Sequence, residues 1–375
     1  MWIWQRENWP HFTWDKSIIE PLLRTARLNQ GILFGKTSHY PQSDERIMLD
    51  TLVANIMHSS AIEGVKLNAH VIRSSLSSQI GFEQENVQTT VQADGLAEIM
   101  IDAVVNWNTP LALNRLLHWH KRLMNIAQPI DKSINLGRLR GKGIMQVVSK
   151  AGDKTIVHFE APDQSIIDDE LTQFLMWFND SRMDPILDPF LRAAITHLWL
   201  ITLHPFDDGN GRIARLLTDL VFAQGEHYSV QLFAMPVSIF GDRKGYCDAL
   251  EKTQKGDTDI TSWLMWFIQT LNSTLLDAMK VIDKELFKTK VLNNIDQTKL
   301  STSQLDVLLL MLEGKFKHGI NTTQYHALTK VSKPTASRHL AGLVKSGALI
   351  KTDANGRSTK YMLRLSKLDS CKTKL

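Results

Sequence analysis

Cysteine is almost missing from this chain: 375 residues hold two, Cys247 and Cys371, far apart. No disulfide framework and no cysteine-based metal spacing is visible, so a reducing, cytoplasmic setting is expected. Long apolar runs are missing too. No stretch approaches the ~18 uninterrupted apolar residues of a membrane span, and Met1-Trp2-Ile3-Trp4-Gln5-Arg6 lacks a signal-peptide hydrophobic run. No membrane contact is expected. Acidic residues are scarce at one end only. Residues 300–375 carry thirteen Lys and Arg against four Asp and Glu, while the remainder carries 30 against 35. A basic C-terminal part suits contact with nucleic acid, although a solvated charged surface produces the same bias. With 43% hydrophobic residues the chain is not disordered, and its length allows two or three domains with a sizeable core.

What is present centres on twelve residues, His204-Pro205-Phe206-Asp207-Asp208-Gly209-Asn210-Gly211-Arg212-Ile213-Ala214-Arg215. Apolar helical stretches flank them, at 191–203 and 213–224, so they form a polar loop between buried helices, a common place for function. His204 offers an imidazole that can accept a proton, and Asp208 a carboxylate that can hold a metal. Gly209, Asn210 and Gly211 lead into a helix N-terminus, whose free N–H groups and positive dipole end suit phosphate. Arg212 and Arg215 add planar donors for phosphate oxygens. Together they point to a nucleotide polyphosphate.

These residues resemble the signature of the Fic family, His-Pro-Phe-x-(Asp/Glu)-Gly-Asn-Gly-Arg-x-x-Arg, at every fixed position. The resemblance implies transfer of AMP from ATP to a Ser, Thr or Tyr hydroxyl of a protein, with the chain itself among the candidate substrates. His204 would take the hydroxyl's proton and Phe206 would anchor the loop. Asp208 would bind Mg²⁺, residues 209–211 would cradle phosphate, Arg215 would hold the terminal phosphate and Arg212 would support the cradle. Two other readings stay open: removal of AMP at the same site, with Glu63 positioning a water, and a DNA-binding regulator that only senses nucleotide.

Several other stretches extend the likeness. The first residues are crowded with Trp2, Trp4, Trp9 and Trp14, more in keeping with a segment docking onto a neighbouring surface than with ligand binding; exposed rings there would also allow a homodimer. Helices are predicted over 18–32 and 43–57. The latter leads into His58-Ser59-Ser60-Ala61-Ile62-Glu63-Gly64, which resembles the family's inhibitory motif Ser/Thr-x-x-x-Glu-Gly/Asn and implies that Glu63 pairs with Arg215. The bland alternative is a helix-end Glu before a capping Gly. An amphipathic helix over 111–127 begins the core. His118 and His120 on it fall on different faces, which argues against a shared metal. β-prone runs at 144–148 and 156–159, separated by 149–155 with Gly152-Asp153 as turn, read as a hairpin. In the Fic family a hairpin here is the flap that aligns the target, so Ile144, Met145, Gln146 and Val147 join the candidate site. Further helices are predicted over 168–178, 190–203 and 263–279. Lys244 to Asp257 resembles the post-signature helix, where Tyr246 would approach the base. Gln254 stands where many relatives have Asn, with the same amide on a longer arm.

The end of the chain reads separately. Helical periodicity at 303–312, 322–329 and 333–346, then strand-like runs at 348–352 and 359–363 around Asn355-Gly356, resemble a winged helix. Its third helix would present Lys333, Thr335, Ser337 and Arg338, with Arg357 and Lys360 in the wing, to DNA or to a protein partner. The expected architecture is mainly α: an N-terminal helical segment over 1–109, a Fic-type core with a β-hairpin flap over 110–285, and a winged helix over 298–366.

Overall fold

In a computed structural model of the chain, residues 1–37, 41–81, 88–125, 134–152, 154–225, 232–352 and 359–364 are described, with backbone alone at 41–45 and 151. Asn355, Gly356, Arg357 and Cys371 lie outside the described residues. Two compact units emerge, 1–278 and 279–375.

The first unit opens with α1 (Lys16–Thr37) and α2 (Pro41–Ile62). On α1 the buried Ile19, Leu23, Ala26 and Leu33 recur at three-, four- and seven-residue steps, one stripe of a 3.6-residue period. α2 runs beyond the predicted 57 and carries Ser59 on its last turn. It stops because Gly64 takes φ of +79°, a conformation that side chains other than glycine rarely adopt. α3 (Ala69–Ile80) and α4 (Val91–Val105) follow, each started by a side-chain cap, Asn68 and Thr90. Then come α5 (Leu113–Met124), the hairpin β1 (Gln146–Ala151) and β2 (Lys154–Glu160), and α6 (Ile167–Asp180).

At the centre lie α7 (Pro189–Leu203) and α8 (Asn210–Gly225), packed along one another. Residues 190–203 of α7 are all buried, and so is α8 apart from Gly211 and Gly225. Fully burying one Leu, Ile or Phe is worth roughly 1.5–3 kcal/mol, so this pair holds the loop between them in a rigid frame. α9 (Met235–Gly241), α10 (Arg243–Gln254) and α11 (Thr261–Asn293) complete the sequence of helices. Because α2 packs on α8 and α9, and α4 on α5 and α8, the stretch 1–109 belongs to the same compact unit as the core it precedes.

The tryptophans at the start are engaged by their own chain. Trp2 meets Phe159 edge-on at 5.4 Å, Trp4 Nε1 donates to the Glu160 carbonyl at 2.7 Å, and Trp9 Nε1 donates to Glu170 at 2.9 Å. The segment docks, as its rings suggested, and the surface it docks on is that of its own chain.

In the second unit, α12 (Thr302–Leu312), α13 (Thr322–Thr329) and α14 (Lys333–Lys345) enclose Val307, Leu308, Tyr325, Ala336, Leu340 and Leu343. β3 (Leu349–Lys351) pairs antiparallel with β4 (Tyr361–Leu363), and Ile320 bridges to Tyr361. The strands are shorter than the predicted 348–352 and 359–363. No helix among the described residues is long and apolar enough to cross a membrane.

Candidate active site

The loop 204–209 is built by the way α7 ends. His204 sits past its last residue with φ of +50°, the left-handed conformation that closes a helix, and its N–H bonds back to the Leu200 carbonyl. His204 Nδ1 lies 3.1 Å from the Ile201 carbonyl, which can only accept, so Nδ1 carries the hydrogen and Nε2 the lone pair. Burial holds the imidazole below its ordinary pKa, so the ring is neutral and able to take a proton.

Three side chains outside the signature fix this loop. Arg140, buried just before the flap, donates from Nε to the His204 carbonyl at 2.9 Å and from Nη2 to the Pro162 carbonyl, while its backbone N–H donates to Pro205 O at 2.9 Å. His120 stacks on the Phe206 ring at 4.2 Å. Its Nδ1 accepts the Gly137 N–H at 3.1 Å, so Nε2 bears the hydrogen and donates to Asp208 O at 3.1 Å. Asn135 donates twice to Asp207 at 2.9 Å. The two histidines do lie on different faces of α5: His120 supports the loop, while His118 faces outward to Glu98 at 2.9 Å.

Within the signature, Phe206 is fully buried, as an anchor must be. Asn210 clamps it, accepting the Phe206 N–H at 3.0 Å and donating to the Phe206 carbonyl at 2.8 Å. Its side chain is thereby spent on the turn, which leaves the backbone amides of the first turn of α8, residues 210–212, to face an anion. Arg212 reaches Met124 Sδ at 3.2 Å and Asp208 at 3.5 Å. The Asp208 side chain remains 53% exposed.

Arg215 is 2% exposed and lies under α2. Its Nε donates to Ser59 Oγ at 2.9 Å, and its Nη2 to the Ser59 carbonyl at 2.9 Å and to Glu63 Oε1 at 2.7 Å. Burial would raise the Glu63 carboxyl, but Arg215, with Arg212 and Arg243 behind it, takes it below the usual carboxylate value. The carboxylate lies directly over the helix start: a Cβ on Gly211 would stand 2.5 Å from Glu63 Oε1 and 3.1 Å from Arg215 Nη1. Deeper, Ile56, Ser59, Leu96, Met100, Arg212 and Asp219 line a small cavity of about 30 Å³. Burial in it pushes Asp219 up to about 8 against the pull of Arg215.

The hairpin is longer than the sequence suggested, since β1 reaches Ala151 and β2 begins at Lys154, pairing 151 with 154 across the turn. Gln146 and Val147 lie on β1, whereas Ile144 and Met145 precede it, Met145 O accepting the Ala161 N–H at 2.9 Å. Two expected base contacts do not come to the open surface of the site. Tyr246 is buried, and Thr218, which donates to Ala214 O, must accept from His197 Nδ1–H; His197 Nε2 therefore accepts from the Tyr246 hydroxyl at 2.9 Å. Burial takes His197 down to about 3, so it stays neutral. Gln254 is likewise buried, 3.3 Å from Thr202 Oγ1.

Residues 110–222 match the Fic/DOC family, and residues 2–82 match a family described as Domain of unknown function (DUF4172). The chain thus carries a Fic/DOC-type segment over residues 110–222, which takes in the hairpin and the whole signature loop. Over 180 residues it is 27% identical to a Caenorhabditis elegans protein named protein adenylyltransferase fic-1, covering 47% of this chain and 32% of that one. Over 216 residues it is 23% identical to protein adenylyltransferase Fic of Nematostella vectensis, covering 57% and 46%. The chain thus spans less than half the length of these curated relatives. Its fold is shared with a Fic family protein from Desulfovibrio desulfuricans G20, at a TM-score of 0.56 and 17% identity, covering 94% of this chain and 98% of that one.

Proposed function

We propose that this chain transfers AMP from ATP to a Ser, Thr or Tyr hydroxyl of a protein, and that Glu63 restrains it. The observation that carries this reading is the Glu63 carboxylate, held 2.7 Å from Arg215 over the start of α8. An internal anion occupies the place where first-turn amides and a buried guanidinium would receive the terminal phosphate of a nucleotide. The names of the curated relatives, protein adenylyltransferases, agree with the chemistry.

Once the phosphates displace Glu63, Arg215 holds the terminal phosphate and the amides of 210–212 the inner ones. The acceptor hydroxyl attacks the α-phosphorus, its proton passes to His204 Nε2, and pyrophosphate leaves. Outer backbone groups of β1, with Val147 and Val148 exposed, offer an edge along which an extended target segment pairs. Asp208 suits Mg²⁺: it is half exposed, and among the described residues Oδ2 meets Arg212 alone, at 3.5 Å. With one carboxylate, the ion would be held jointly with phosphate oxygens, where it neutralises charge on the leaving group. Arg140, His120 and Asn210 keep the loop in register.

The test is incubation of the full chain with Mg²⁺, ATP labelled at the α-phosphate, and cell lysate. Label should appear on protein with Glu63→Gly, remain weak with the wild type, and vanish when His204→Ala is added. ATP labelled at the γ-phosphate should give no protein label that depends on the Glu63→Gly chain. Undiminished label with His204→Ala would overturn the proton transfer.

A further inference from the structure

We infer that the second unit binds duplex DNA, with α14 lying in the major groove. α13 and α14 are joined by three residues: Lys330, left-handed at φ of +57°, Val331, and Ser332, whose hydroxyl accepts the Thr335 N–H at 3.3 Å. Two helices joined so tightly form the helix-turn-helix arrangement, whose second helix projects for groove binding.

Charge singles out the same face. Between Glu313 and Asp353 the sequence runs 39 residues without an Asp or Glu and includes seven Lys and Arg. Ahead of that stretch the acidic side chains include Asp283, Glu285, Asp296 and Asp306, and only Asp353 and Asp369 follow it in the sequence. On α14, Ala336, Leu340 and Leu343 turn inward, leaving Lys333, Ser337, Ala341 and Lys345 exposed at four-residue steps, with Arg338 beside them. The two lysines at the ends of this stripe are about 18 Å apart along the axis, enough to reach phosphates on both borders of a groove ~12 Å wide. Small side chains between them let the helix approach the base edges, and Arg338 is placed to address a guanine. The strand pair beside the helix adds Lys351 and Lys360, both exposed. A docking surface for an acidic protein would need cations too, but an apolar centre is usual there, and this stripe has serine and alanine.

Fluorescence anisotropy with a labelled 20-base-pair duplex and the full chain, without nucleotide, tests the inference. Binding should be measurable at 50 mM salt and weaken about 10³-fold by 200 mM, as for roughly six phosphate contacts. Lys333→Glu with Arg338→Glu should weaken it more than about 30-fold at 50 mM salt, with the thermal transition unchanged. Poly-glutamate should compete far less well than unlabelled duplex. Absence of binding at 50 mM, indifference to the charge reversal, or equal competition by poly-glutamate would overturn it, the last assigning this face to acidic proteins.

Discussion

One turn of α8 separates two carboxylates that feel the same guanidinium and respond in opposite ways. Glu63 arrives from α2, touches Arg215 at 2.7 Å, and its carboxyl is held below the ordinary value. Asp219 stands four residues beyond Arg215 on α8 itself, faces the small cavity, and is pushed up to about 8. Burial works against both charges; only direct contact reverses it. At an effective dielectric of about 20, two unit charges gain about 4 kcal/mol at 4 Å and half that at 8 Å, whereas burying a carboxylate costs several. The charged carboxylate is thus the one at the helix start, where a phosphate can replace it. The neutral one is sealed where nothing can.

The largest expected consequence is on transfer. Glu63→Gly frees Arg215 and should raise AMP transfer on the order of a hundredfold, because a phosphate misplaced by about 1 Å costs that much. Asp219→Asn, changing a group that is already neutral, should leave transfer within about twofold. Single-turnover rates with saturating Mg-ATP measure both. Equal stimulation by the two substitutions would erase the distinction between the turns. Glu63→Gly also leaves a buried guanidinium short of a partner, at a cost of about 1–3 kcal/mol that bound ATP should restore.

Stability against pH comes next. The Asp219 carboxyl titrates near 8 in the folded protein and near ~3.9 when unfolded, so across that window the native state holds a proton that the unfolded state has lost. Stability therefore falls as pH rises through the window, by up to ~1.4 kcal/mol per unit from this group. Asp219→Asn should remove that slope and raise the melting temperature at pH 7.5 more than at pH 5. A slope unaltered by the substitution would mean that Asp219 is ionised in the native protein.

The signature loop and its flanking helices were legible because polar, glycine-rich residues interrupt strong apolar periodicity. The same periodicity marked α1, α7, α12 and α13. By contrast, α3 and α4 went unannounced for two different reasons. On α3 the buried positions include Ser74, Ser75 and Ser77, with Ser75 donating to Asp94 at 2.7 Å, so the stripe facing inward is not apolar. On α4 both sides are apolar and the 3.6-residue rhythm is blurred. Arg140 and His120 were unreadable as supports of the loop, since their partners are backbone carbonyls 64 and 88 residues away. Glu63 is the reverse case: its approach to Arg215, 152 residues away, was implied by resemblance alone, yet the contact is there in the structure.

The smallest effect gives the sharpest reading of the first turn. Gly211 is the second residue of α8, and alanine in a helix is normally favoured over glycine by about 0.5–1 kcal/mol. Here its Cβ would stand 2.5 Å from Glu63 Oε1, closer than such atoms approach, so the carboxylate must swing away and give up its contact with Arg215. In the wild-type background Gly211→Ala should therefore destabilise the protein by about 1 kcal/mol. With Glu63→Gly the nearest obstacle is gone, and Arg215 Nη1, at 3.1 Å, is the freed end of a long side chain that can give by a few tenths of an ångström. The ordinary helical preference then returns, so the same substitution should stabilise by about 0.5 kcal/mol. A double-mutant cycle from denaturant unfolding reads this change of sign as a coupling of about 1.5 kcal/mol. Asp219→Asn in place of Glu63→Gly should leave Gly211→Ala destabilising, because that carboxylate is not among the groups crowding Gly211. A Gly211→Ala effect of one sign in all three backgrounds would show that the Glu63 carboxylate does not rest over the start of α8, and the contrast between the two turns would fall with it.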